Sequence, residues 1–134
     1  MHIVAHLKSA IMVFGVVLAL ASSASAIEQK KYDAEAFRTI QAAGKPAIVH
    51  VSAPWCPTCK AQHSVIDELA KNSKFEPVTI FLVDFDSQKD VLKKFKASQQ
   101  STLIAFNGSK ETGRLVGETK AKSIEDLVSG TIRK

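Results

Sequence analysis

The sequence predicts a single α/β domain, and three observations carry that reading. Two short runs, AIVHVS (47–52) and VTIFLVDF (78–85), are apolar without alternation, as in strands buried on both faces of a sheet. Segments with helical apolar spacing stand between and around them. The only two cysteines, Cys56 and Cys59, lie where the first of those strands gives way to a helix.

Taken in order, Ile27 to Tyr32 is a weak strand candidate. Asp33 can cap a helix running to about Ala43, with Ala36, Phe37 and Ile40 on one face, and Gly44 and Pro46 stop it. The 47–52 strand is bounded by Pro54. The next helix runs from the cysteine motif to about Asn72, with Ala61, Val65, Ile66 and Leu69 spaced for one apolar face. After the 78–85 strand, Ser87 to Lys96 reads as a helix that turns Val91, Leu92 and Phe95 inward. Its lysines read as a solvated face, with Asp90 and Lys94 an i,i+4 pair. Thr102 to Phe106 is a strand, Asn107-Gly108 a hairpin signal, and Arg114 to Val116 a late-starting partner strand. Ser123 is placed to cap a last helix, with Asp126 three residues on. The order is β-α-β-α-β-α-β-β-α.

With 134 residues, 46% of them hydrophobic, the chain is long enough for one core and too short for several. Its net charge of +5 is scattered and makes no case for nucleic-acid binding. Residues 1–26 are of another kind. Lys8 is the only fixed charge, an apolar run from Ala10 to Ala21 follows, and Ala24-Ser25-Ala26 has the A-x-A form of a signal-peptidase site. The run is short for a spanning helix, which needs about 20 residues. The expectation is therefore a cleaved secretory signal, an uncleaved anchor being the weaker reading, and a mature domain of 27–134. Export implies an oxidising compartment.

In that compartment a disulfide between Cys56 and Cys59 would close almost no loop, so it has little value as a structural staple. Haem attachment fails because Lys60, not a histidine, follows Cys59. Redox chemistry fits the position. Free N–H groups and the helix dipole at a first helical turn stabilise an anion, so Cys56 is expected to have a lowered pKa and to act as nucleophile. Pro57 suits that first turn. Cys59, one turn deeper, can resolve a mixed disulfide from within. On this reading Cys56 is exposed and Cys59 covered.

These residues resemble the thioredoxin superfamily. AIVHVSAPWCPTCKAQHSVIDELA is similar to its second strand, W-C-x-x-C-K active site and following helix. FLVDFDSQKDVLKKF is similar to its central strand and next helix, and STLIAFNGSKETGRLVGE to its last hairpin, with Gly117 in the late glycine position. The resemblance implies a thioredoxin fold, a central mixed sheet of four or five strands flanked by helices on both faces. It implies a thiol–disulfide oxidoreductase acting on protein thiols and disulfides, with Cys56 attacking, Cys59 resolving, and Trp55, Pro57, Thr58, Ser101 and Thr102 forming the substrate surface. No dissociable cofactor is implied, the default state is a monomer, and a membrane redox partner would return the pair to its working state. The Pro57-Thr58 dipeptide is similar to that of periplasmic thioredoxin-like reductases of cytochrome c maturation, which makes reduction of protein disulfides the favoured direction and a protein-disulfide oxidant or isomerase the alternative.

Two positions depart from the family. His50 stands where thioredoxins bury an acid. It can act as a proton relay for Cys59, or it can be a hydrogen-bonded core histidine. If protonated, it would stabilise thiolate and make the couple more oxidising. Ser101 replaces the family's cis-proline, so either a trans loop or a strained cis bond is expected, with an N–H and a hydroxyl available to a sulfur. A rival reading is a copper or zinc module built on Cys56, Cys59 and His50 or His63, although His63 alone reads as a surface residue.

Overall fold

The computed structural model describes residues 26–133. The expected leader, apart from Ala26, lies outside the described residues. The elements are β1 (Glu28–Lys31), α1 (Ala34–Ala42), β2 (Pro46–Ser52), α2 (Pro57–Leu69), a 3₁₀ turn (Ser73–Phe75), β3 (Thr79–Asp84), α3 (Lys89–Lys94), β4 (Thr102–Asn107), β5 (Lys110–Val116) and α4 (Ala121–Ile132). Strand order in the sheet is β1-β3-β2-β4-β5. β1 and β2 flank β3 in parallel, and β4 and β5 add antiparallel pairs. The sheet is thus mixed and five-stranded, as expected.

Alternation along β2 sends its side chains to two separate cores. Ala47, Val49 and Val51 join Phe37 of α1, Phe81 and Val83 of β3, Leu92 of α3 and Phe106 of β4. Ile48 faces the other way, toward Ile66 of α2, Phe75, and Ile124 and Val128 of α4. The same alternation puts His50 on the α2/α4 side. There it is fully buried, between Leu82 of β3 and Leu103 of β4 in register.

The structure corrects the sequence reading at several element ends. β5 starts at Lys110, not Arg114. Asn107-Gly108 does open a tight hairpin, with Gly108 at φ +57°, and the polar Lys110-Glu111-Thr112 stretch belongs to an exposed edge strand. α4 begins before Ser123, with Lys120 at its N-cap. The Glu118 carboxylate accepts the N–H groups of Thr119 and Lys120 (2.9 and 2.8 Å) just ahead of the helix. α3 is shorter than 87–96 because the Asp84 carboxylate binds the Ser87 N–H and hydroxyl, holding residues 84–87 in a turn. Asp90 faces Lys93 (3.8 Å), while Lys94 reaches the Tyr32 hydroxyl (3.0 Å). On α2, Ala61 is exposed, and Gln62 takes the inward place.

Candidate active site

β2 ends at Ser52, and the chain turns through Ala53-Pro54-Trp55 into α2. Cys56 is the N-cap residue of α2, in extended conformation, and Pro57 occupies the first helical turn. The Cys56 sulfur accepts the Cys59 N–H at 3.1 Å. That contact is the predicted use of a helix N-terminus: an orphan amide aimed at sulfur. Cys56 and Cys59 are joined as a disulfide, with Cα atoms 5.3 Å apart.

One expectation fails here. Both cysteines are buried, Cys56 at 2% and Cys59 at 1% exposure, so the oxidised pair is not exposed on its Cys56 side. The N-cap contact and the disulfide draw the first sulfur inward, over Ala53 and against Phe85. Trp55 is the exposed member, at 57%. Its indole N–H donates to Asp86 at 2.8 Å, and its ring stands edge-on to Phe85. Pro57 is exposed and Thr58 half-buried beside it.

Ser101 immediately precedes β4, and no cis peptide bond occurs among the described residues. The trans alternative is therefore the one adopted, and it is strained. Ser101 has φ +54°, a left-handed conformation that costs a non-glycine residue on the order of 1–3 kcal/mol. Its hydroxyl is turned back to the Gln100 carbonyl (2.7 Å). Its own carbonyl accepts from the Gly117 N–H (2.9 Å) and from Gln62 Nε2 (3.0 Å). Thr102 is buried, its hydroxyl on the Gln99 carbonyl (2.8 Å).

Behind the disulfide lies a polar cluster. His50 Nε2 is 3.0 Å from Gln62 Oε1. The His63 ring packs against the His50 ring, centroids 4.5 Å apart, so His63 is half-buried and not the surface residue expected. Burial first, then the neighbouring His63, lowers the His50 pKa to about 4, against a smaller opposing effect of the Gln62 hydrogen bond. His50 is therefore neutral at neutral pH. A cleft of about 580 Å³ opens beside Cys59 and His63, lined also by Ser52, Ala53, Lys60 and β3 residues. The metal-module reading required a histidine to converge on both sulfurs. Among the described residues, no cluster of three or more histidine, cysteine or acidic side chains is arranged to hold a metal ion.

Sequence reasoning missed Gln62, Phe85 and Asp86. Gln62 had a signal: it lies three residues after Cys59 and four before Ile66, on the stripe that faces the sheet. Asp86 had none, because its partner is fixed only by the fold.

The thioredoxin family model matches residues 27–130, nearly all of the described chain. This chain belongs to the thioredoxin family. Among relatives, it is 33% identical over 93 residues to thioredoxin H-type of Fagopyrum esculentum, covering 69% of this chain and 78% of that one. It is 37% identical over 70 residues to thiol:disulfide interchange protein DsbE of Pasteurella multocida (strain Pm70), covering 52% of this chain and 34% of that one. Among solved structures, Trxlp from Edwardsiella tarda EIB202 superposes with a TM-score of 0.72 at 37% identity, covering 75% of this chain and 98% of that one. As a thioredoxin-family protein, this chain is a thiol–disulfide oxidoreductase whose redox-active pair is Cys56–Cys59.

Proposed function

We propose that this thioredoxin-family protein works in the periplasm as a reductase of protein disulfides. The observation that carries the direction is the full burial of His50, between Leu82 and Leu103 and against the His63 ring, which disfavours its charged form. A protonated imidazole behind the pair would stabilise thiolate and push the couple toward oxidation. Burial holds His50 neutral, so that electrostatic push is absent. Support for the compartment is the signal-like segment 1–26, and support for the role is the partial likeness to a bacterial thiol:disulfide interchange protein.

In the proposed cycle the Cys56 thiolate attacks a substrate disulfide, forming a mixed disulfide and releasing one substrate thiolate. The Cys59 thiol gives its proton to neutral His50. The Cys59 thiolate then attacks the Cys56 sulfur, the Cys56–Cys59 bond forms, and the second substrate sulfur leaves and takes a proton. Two electrons pass from the cysteine pair to the substrate, and a dithiol partner at the membrane restores them. No dissociable cofactor takes part, and the protein acts as a monomer. Trp55, Pro57, Thr58 and the Ser101–Thr102 turn form the docking surface. The substrate class that the active-site resemblance implies is the paired cysteines of c-type cytochrome precursors.

The test is the reduction potential of the pair, by equilibration against glutathione buffers. A value near that of thioredoxin, about −270 mV, fits the proposal. A value near the strong periplasmic oxidants, about −120 mV, overturns the direction.

A further inference from the structure

Gln62 is fully buried on the sheet-facing side of α2, where an apolar residue would pack more simply. Its hydrogen bonds leave no freedom. Nε2 lies 3.0 Å from the Ser101 carbonyl and 2.9 Å from the Glu118 carbonyl. Carbonyl oxygens only accept, so both amide protons of Gln62 are committed to them. Oε1 is then the atom left to face His50 Nε2, at 3.0 Å, and it too can only accept. The proton on a neutral His50 must therefore sit on Nε2. The lone pair is on Nδ1, which is the one buried side-chain nitrogen or oxygen among the described residues that has no hydrogen-bond partner.

An unpartnered buried acceptor is costly unless it has work to do. The titratable groups around it are few. His63 packs on its ring from α2. Cys59, a turn earlier on the same helix face, becomes a thiol when the pair is reduced. β3 and β4 present Leu82 and Leu103 in register, and the Glu118 carboxylate is turned away to the Thr119 and Lys120 amides. Lys31, Lys60 and Asp84 line the adjoining cleft.

We infer that Gln62 is a positioning residue: it fixes His50 in the Nε2–H tautomer, so that Nδ1, which has no hydrogen-bond partner in the oxidised protein, is the one ring nitrogen left to accept the Cys59 proton. This rests on the proton-acceptor role given to His50 in the proposed cycle. When Nδ1 takes the proton, the imidazolium keeps its Nε2–H on Gln62 Oε1, and the Cys59 thiolate is freed for attack on the Cys56 sulfur. The same amide clamps the strained Ser101 turn to α2, so the proton acceptor and the turn beside the active site are held by one side chain.

The test separates the two jobs of that side chain. Gln62→Glu keeps an acceptor for His50 Nε2–H and loses both donations to the carbonyls. Gln62→Met loses everything. Long-range ¹H–¹⁵N spectra read the His50 tautomer in the oxidised protein. Reaction of the reduced protein with dithiobis(nitrobenzoate) reads the resolving step, as release of the second nitrothiolate when Cys59 attacks the Cys56 adduct.

The expected result is an Nε2–H tautomer in the wild type and its loss in Gln62→Met, while in Gln62→Glu the carboxylate keeps the proton on Nε2 and raises the His50 pKa. The resolving step should slow on the order of tenfold or more in Gln62→Met, and far less in Gln62→Glu. Equal slowing of both variants would show a purely structural clamp and overturn the inference, as would an Nδ1–H tautomer in the wild type. His50→Leu distinguishes the underlying reading. If it slows resolution while Gln62→Met does not, the relay stands and the role of Gln62 falls. If it leaves resolution unchanged, the relay itself is wrong, and the inference falls with it.

Discussion

On the α1/α3 face of the sheet, Tyr32, Phe37, Phe81, Phe95 and Phe106 meet ring to ring, centroids 5.3 to 6.2 Å apart and mostly edge to face. On the α2/α4 face the core is largely aliphatic, and at its active-site end it gives way to His50, Gln62 and His63. Both faces are built on the same central strand, one residue apart in phase: Val49 and Val51 serve one, Ile48 and His50 the other. The aromatic face gains burial and ring packing and asks for almost no side-chain hydrogen bonds. The other face trades apolar packing for a base and then satisfies that base at one nitrogen only. The contrast shows which half is committed to stability and which to chemistry.

Substitutions should pull that contrast apart. The largest effect belongs to Cys56→Ser, which should reduce catalysed disulfide exchange to the uncatalysed rate. The denaturation midpoint of the variant should lie close to that of the oxidised wild type, because the short disulfide loop adds little stability. A stopped assay of protein-disulfide reduction and a urea titration check both halves of that statement. Next is Phe37→Ala on the aromatic face. Removing a ring at 2% exposure should destabilise by about 3–5 kcal/mol while leaving the reduction potential of the pair unchanged. A shifted potential in that variant would show that the two faces are not separable.

The third effect is a pH dependence confined to the polar face. The folded pKa of His50, about 4, lies below its ordinary 6.5, so the unfolded chain binds the proton first as pH falls. Titration of His50 costs no stability above pH 6.5. It destabilises progressively as pH drops toward 4, by about 3 kcal/mol in all. His50→Leu should flatten that slope and impose instead a constant penalty for the unpaired Gln62 oxygen. Asp84 and Glu118 have lowered pKa values from their hydrogen bonds to Ser87 and to the Lys120 amide. Their stabilisation is present at neutral pH and is lost only as pH falls through the carboxylate range. Smallest of all is Lys71→Ala, which removes an exposed pair with Glu68 and should leave the melting curve superimposable on the wild type.

The central strands were legible because burial on both faces leaves a continuous apolar run that no helix of that length would need. The cysteine pair was legible because its place, strand end to helix start, is written in the order of residue types. β5 was only half legible, since an edge strand carries polar residues and reads as a loop until its partner is known. The start of α4 was misread for a related reason: Ser123 has the right chemistry for a cap, but Glu118 satisfies amides from outside the helix. His50 was recognised as out of place. Its state was not legible, because protonation depends on Gln62 and His63, which face it only after α2 has packed on the sheet.

The most direct measurement is the titration of His50 itself, followed by ring-proton NMR in the oxidised protein. The account predicts a neutral imidazole that takes up its proton only near pH 4. A midpoint above neutral pH would contradict it, because His50 would then be charged beside the cysteine pair at working pH and could not serve as its neutral base.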